Sequence, residues 1–369
     1  MTAKFSLSKI GNVRSLTLIA ALACICIVFH FATDEVFLSA RNFSNLMRQA
    51  SVVGIVACGM VMIIVSREID LSAGSAVALA GGLAAIANVQ FQMHPAMAIG
   101  VALAAGLLIG AINGLLVAYT RIPAFIVTLG GLLVYRGLIK GFTQGETIGP
   151  VSEGFQMFGT GFVPSYIVYV VLAISIGYFL YHAFNNFKNK NMINAIKYIV
   201  FSLLAIAFIM MFLNYKGLPV PVLIVLIVAL VVSFVMENVP FGRYIFAIGG
   251  NREAAFYSGI NIRKQIFRVY ILMGLLIAIA GIVYTAQLGS ATSAAARNLE
   301  LDVIAACVIG GCSLLGGRGN IFDALCGALI MASLDNGMSL LNVQDYIQDV
   351  IKGVILVLAV GIDMLNKKN

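Results

Sequence analysis

The sequence predicts an all-α protein, a polytopic membrane helix bundle of about twelve hydrophobic spans, and three observations carry that expectation. Apolar residues make up 61% of the chain and charged residues only 10%, a balance far from that of a water-soluble domain. The apolar residues are gathered into runs of roughly twenty, the length that crosses the hydrocarbon core of a bilayer. The polar turns between them leave no room for a soluble domain, so residues 1–369 read as one transmembrane domain.

In chain order, Lys4, Lys9 and Arg14 precede the first span, Ser15 to Phe31, and the positive-inside rule puts them in the cytoplasm. That first run reads as a retained helix rather than a removable signal, because many more runs follow. Asp34 and Glu35 then fall outside. Further spans are expected near 46–65, 70–90, 95–118, 123–141, 164–184, 196–214, 219–237, 267–288, 301–316, 321–340 and 346–363, which returns the C-terminus to the cytoplasm. Alternation leaves Arg67, Arg121, Lys188, Lys190, Lys197, Arg243, Arg252, Arg263, Lys264, Arg268, Arg318, Lys367 and Lys368 inside. Arg41, Arg48, Arg136, Lys140, Lys216 and Arg297 fall outside or near the outer face, and Lys352 fits either side. A missed helix would reverse every later loop, so this bias supports the count.

Spans 70–90, 301–316 and 321–340 are rich in Gly, Ala and Ser and interrupted by polar residues, which predicts broken or half-membrane helices. Irregular backbone at membrane depth must be covered by protein or a watery cavity, so these segments belong inside the bundle. Glu68-Ile69-Asp70 and Glu300-Leu301-Asp302 repeat one spacing at the mouths of two such runs and suggest a twofold internal repeat. Gly106, Gly110 and Gly114 form a smooth stripe for close helix packing, within the chain or between subunits.

Several chemistries are disfavoured. The +8 net charge is spread over short loops without the interleaved aromatics of a nucleic-acid surface. The six cysteines lie in apolar runs without paired spacing, and His30, His94 and His182 form no metal-binding helix motif. Gly310 to Gly319 lacks the Gly-Lys-Ser/Thr ending of a phosphate loop and reads as a re-entrant or tight helix-to-helix turn. The chain is therefore not expected to be an enzyme or to bind a metal or cofactor of its own.

Polar groups in apolar surroundings mark candidate sites. Asp70 and Ser72 suit the cap of the helix that follows. Equally, Glu68, Asp70, Ser72 and Ser75 suit the polar edge of a solute path, with Asn113, Thr128, Asp335 and Asn336 as further hydrogen-bonding groups. Ionisable groups at membrane depth are few and show no lysine-carboxylate relay, so a neutral polar cargo such as a sugar fits better than an ion.

Between two strongly apolar runs lies the basic stretch Gly249 to Lys264, with the small residues Ala254, Ala255, Ser258 and Gly259 able to form one thin helical face. There the chain is recognisable: Phe241-Gly242-Arg243-Tyr244-Ile245-Phe246-Ala247-Ile248-Gly249-Gly250-Asn251, then Ala254-Ala255 and Ser258-Gly259-Ile260-Asn261, resemble the cytoplasmic coupling loop of permease subunits of bacterial ATP-binding-cassette importers of the ribose, xylose and galactose type. Glu68 to Ser72, Phe125 to Leu129, Glu300 to Gly311 and Met331 to Met338 carry the same resemblance, in order and over nearly the whole chain. The extra apolar pair at about 164–214, with Ser39-Ala40-Arg41-Asn42, is similar to the longer, xylose-type members, which implies D-xylose as cargo.

The resemblance implies a bacterial inner-membrane permease that pairs with a second copy. It also implies an ATPase carrying two nucleotide-binding domains, which bind the ATP and Mg, and a periplasmic or extracellular sugar-binding protein. The coupling loop, at about 238–267, would offer Gly250, Asn251, Arg252, Ala254, Ala255, Ser258, Gly259 and Arg263 to the ATPase. Two other classes remain open: an ion-coupled carrier working alone, and a membrane enzyme acting on lipid-linked substrates, for which the sequence offers no motif.

Overall fold

The computed structural model describes residues 7–120, 122–188, 199, 202, 206 and 209–365. Lys4, Arg121, Lys190, Lys197, Lys367 and Lys368, and much of the 196–214 span, lie outside the described residues. Helices α1 (Leu7–Ala32), α2 (Ala40–Val65), α3 (Ala73–Val89), α4 (Pro95–Tyr119) and α5 (Ala124–Thr143) come first. The short α6 (Glu153–Thr160) is followed by α7 (Ser165–Lys188), α8 (Val220–Asn238), two short helices α9 (Pro240–Gly250) and α10 (Arg252–Tyr257), and α11 (Ile262–Leu288). Then come α12 (Leu299–Ile309), α13 (Ile321–Leu340) and α14 (Asp345–Leu365).

Among the described residues, α2, α4, α5, α8, α11 and α13 are long and apolar enough to cross a membrane, and α3 and Thr17–Ala32 of α1 are shorter apolar helices. The chain is a polytopic helical membrane protein. Of the runs expected to be broken or half-membrane, 301–316 is half-length as expected and 321–340 is not. The run 301–316 is not a full span: α12 has 11 residues, about 16 Å of helix against the roughly 30 Å of a bilayer core. A turn follows it, with Gly311, Gly316 and Gly317 at positive φ.

The run 321–340, expected to be broken, is one continuous helix. Asp335 and Asn336 find their partners, Lys352 and Asn42, outside the helix, so they do not interrupt it. Asn320 caps its start by accepting from the Phe322 and Asp323 amides at 2.8 and 3.2 Å, and Asn336 pairs with Asn42. Its small residues make close contacts instead of breaks, with Gly327 against Ala306.

Helix α2 is the axis of the bundle, packed against α8, α11, α12 and α13. From Val52 to Val65 it is apolar on every side, which suits only a buried helix; 89% of its apolar window is buried, against 22% for α5. The Gly106-Gly110-Gly114 stripe serves packing within the chain. A side chain at Gly106 would meet the Gly274 carbonyl of α11, and one at Gly274 would meet that of Gly106.

Two ends of the bundle follow from α2. At its C-terminal end, Val65 accepts a hydrogen bond from the Gly317 amide at 2.9 Å, and Gly249 of α9 lies so close to the Val65 carbonyl that no side chain fits. Helices α9 and α10 and the 310–320 turn therefore share one end. At the other end, Gln287 near the finish of α11 donates to the Arg48 carbonyl at 2.9 Å, beside the start of α2.

Candidate functional site

Three polar constellations stand out. The first closes on itself. Asp70 Oδ1 accepts from the Ser72 amide at 2.8 Å and from the Ser72 hydroxyl at 2.6 Å, an Asx turn that leads into α3. Asn113 of α4 donates to Ser72 Oγ at 3.0 Å, and the Tyr135 hydroxyl of α5 donates to Asn113 Oδ1 at 2.7 Å. Ser75 donates to the Ser72 carbonyl at 2.8 Å, and Thr128 donates to the Ala124 and Ile69 carbonyls at 2.9 and 3.2 Å. Asp70, Ser72, Ser75, Asn113 and Thr128 are all buried. Five candidate path residues are thus brought together with Tyr135, as a hydrogen-bonded knot joining three helices. Ser72 stands at the cap position but makes no side-chain cap bond. The carboxylate of Glu300 lies instead against Gly74 in the first turn of α3, where the helix N-terminus favours negative charge.

The second constellation is open. Lys352 of α14 holds Asp335 of α13 at 2.7 Å and Asp302 of α12 at 3.2 Å. All three line a polar cleft of about 340 Å³ with Gln49 and Gln287, at the end of the bundle where α2 begins. Asn336 lies one residue beyond Asp335 and is bound to Asn42 at 2.7 Å and to Gln49 at 3.4 Å. Of the candidate path residues, Asp335 is the one that reaches this cleft. The knot and the cleft are therefore separate.

The third is the α9–α10 loop at the opposite end. Asn251 caps α10 by accepting from the Ala254 amide at 3.0 Å. Arg252 forms an ion pair with Glu68 at 3.1 Å. Burial pushes the Glu68 carboxyl up from its ordinary value, and the Arg252 guanidinium partly opposes that shift. Gly250, Asn251, Arg252, Ala254, Ser258, Gly259 and Arg263 are exposed. Ala255 corrects the expectation: it is 4% exposed and belongs to the main core. A helix of one and a half turns must bury one side, and Ala255 is the small residue on that side. The exposed bulk is Phe256 at 64% and Tyr257 at 85%. With Arg67, Asn251, Arg252 and Ile262 they line an open groove of about 660 Å³.

Sequence reasoning passed over Tyr135, Lys352, Gln49, Phe256 and Tyr257. Lys352 carried a readable signal, a lysine nearly two turns inside an apolar run, and its pairing with Asp302 and Asp335 corrects the expectation that the spans hold no lysine-carboxylate cluster.

A bundle of apolar helices with a charged cleft at one end and a short exposed helix, α10, at the other defines a polytopic helical membrane protein. The family profile described as branched-chain amino acid transport system / permease component matches residues 42–360, and the chain belongs to that family of permeases. It is similar to the xylose transport system permease protein of Haemophilus influenzae, 42% identical over 369 residues that cover 98% of both chains. The xylose transport system permease protein of Escherichia coli is 41% identical, over 99% of this chain and 95% of that one. The ribose import permease protein of Escherichia coli is 38% identical, over 95% and 93%. No solved structure matches the chain. A permease component is the non-catalytic transmembrane subunit of its system and carries no cofactor, in keeping with the sequence reading.

Proposed function

We propose that this chain is the permease subunit of an ATP-driven monosaccharide importer of the bacterial inner membrane, and that its cargo is D-xylose. The observation that carries the reading is the near end-to-end similarity to two xylose permeases, above that to ribose permeases. The family description names branched-chain amino acids, but the full-length relatives named here are sugar permeases, and they decide the cargo class. The chain is one transmembrane permease domain, with the extra pair at about 164–214 as its family-specific addition. About twelve membrane-embedded segments, counting the half-length α12, put both termini in the cytoplasm.

In this arrangement the 238–267 loop faces the cytoplasm and docks α10 on an ATPase with two nucleotide-binding domains. Phe256 and Tyr257 supply the apolar contact, and Asn251, Arg252, Ser258, Gly259 and Arg263 the polar rim. Two copies of the chain form the transmembrane unit. A periplasmic binding protein delivers sugar at the end where the cleft opens. The buried knot around Asp70 holds α3, α4 and α5 together beneath the docking loop.

Reconstitution in proteoliposomes tests this. Uptake of radiolabelled D-xylose is expected only when the ATPase, ATP and the sugar-loaded binding protein are all present. Uptake by the chain alone on an ion gradient would sink the reading in favour of a secondary carrier.

A further inference from the structure

We propose that the cleft around Lys352 is a binding site for a neutral, polyhydroxylated ring within the permease itself, with the Asp302–Lys352–Asp335 triad as its hydrogen-bonding floor. This rests on the monosaccharide reading above. The charges on the page balance: Lys352 and Arg297 stand against Asp302 and Asp335 in one cleft, which disfavours both an anion and a cation and leaves a neutral ligand. The triad is only partly buried, with side chains 19%, 12% and 31% exposed for Lys352, Asp302 and Asp335. Its carboxylate oxygens and ammonium protons can therefore still bond to a guest, and vicinal hydroxyls match a carboxylate's paired acceptors.

Three carboxamides are half committed. Gln287 Nε2 is used by the Arg48 carbonyl, Gln348 Nε2 by the Val343 carbonyl at 2.7 Å, and Gln49 Oε1 by Asn336. Each keeps its other end for a hydroxyl. Tyr284, partly buried, adds an aromatic side chain to the same wall, suited to the C–H side of a sugar. At about 340 Å³ the cleft falls within the size range of small-molecule sites. Hydroxyls that insert between Lys352 and either aspartate would loosen α14 from α12 and α13, so occupancy and helix spacing are linked.

The test uses the complex reconstituted with its ATPase and binding protein. Asp335→Asn and Gln49→Leu are each expected to lower D-xylose uptake about tenfold, the loss of one good hydrogen bond to a charged or polar partner. Co-purification with the ATPase should be unchanged, because both residues lie at the opposite end of the bundle from α10. Gln49 lies outside the triad, so its variant answers the question even where the ion pair is needed for folding. Unchanged uptake in both variants overturns the proposal. So does joint loss of uptake and ATPase co-purification in both variants, which would make the cleft residues structural. Alkylation of Ser339→Cys in a chain whose other cysteines are serine is expected to slow with D-xylose and not with leucine. Protection by leucine alone would overturn the polyol assignment, while failure of the unsubstituted complex to take up xylose despite xylose protection would count against the transport reading and not against the cleft.

Discussion

Glu68-Ile69-Asp70 and Glu300-Leu301-Asp302 share one spacing and meet opposite fates. In the first, the aspartate is sealed in a knot of neutral donors and the glutamate reaches out to Arg252. In the second, the glutamate is tucked against the start of α3 and the aspartate faces the cleft, held by Lys352. The offset has a simple cause. Asp70 precedes its helix, where it can organise a turn, whereas Asp302 lies inside the first turn of α12 and projects sideways. Where water is excluded, an amide and a hydroxyl hold one carboxyl oxygen, Asp70 Oδ1, and the buried Oδ2 has no hydrogen-bond partner; where a cleft admits water, a counter-ion holds the group.

The largest expected effect separates these two solutions. Asp70→Leu strips the acceptor from the Ser72 amide and hydroxyl in a buried site, and should destabilise the chain by about 2–6 kcal/mol. Asp302→Leu should cost less, because Asp335 still holds Lys352 and solvent reaches the cleft. Thermal unfolding of the two purified variants ranks them; the reverse order would break the comparison. Asp70→Asn sharpens it. The carboxamide oxygen can accept the same two bonds, so stability and uptake should both persist. A specific loss of uptake in that variant would return Asp70 to the solute path.

A smaller effect tests how far the knot extends. Tyr135→Phe removes only the hydroxyl that donates to Asn113 and should cost about 1 kcal/mol, with uptake unchanged because Tyr135 does not line the cleft. A large loss of uptake at preserved stability would link the knot to transport directly.

How much of this was readable in the sequence varies by element. Apolar run length placed helices on every expected span among the described residues, because burial in lipid or protein demands it. It misjudged 321–340, where small and polar residues look like a break until Asn42, Lys352 and Ala306 are known to lie opposite. The knot was half legible: Asp70 and Ser72 are neighbours in sequence, but Asn113 and Tyr135 meet them only through the packing of α4 and α5. Ala255 shows the limit of reading small residues as a docking face, since smallness equally suits the side of a short helix that packs inward.

The smallest effect concerns the ion pair between the first motif and α10, Arg252 with Glu68. Burial raises the Glu68 carboxyl above its ordinary value and Arg252 opposes that rise. A carboxyl raised in the folded state binds its proton more readily folded than unfolded. Stability is therefore greatest below the ordinary carboxylate range and declines as pH climbs through the raised value. Arg252→Gln removes the opposing charge, lifts the folded value further and should deepen that decline. Arg252 is half exposed, so the pair is worth no more than about 1 kcal/mol, less after solvent screening. Unfolding temperatures at pH 5 and pH 8 should therefore diverge slightly more in Arg252→Gln than in the unsubstituted chain. Adding Glu68→Gln should abolish the extra divergence, because no titrating group is left at that position. If the divergence survives the double substitution, the link between the docking helix and the loop before α3 does not depend on the charge of Glu68, and Arg252 serves the rim of the groove alone.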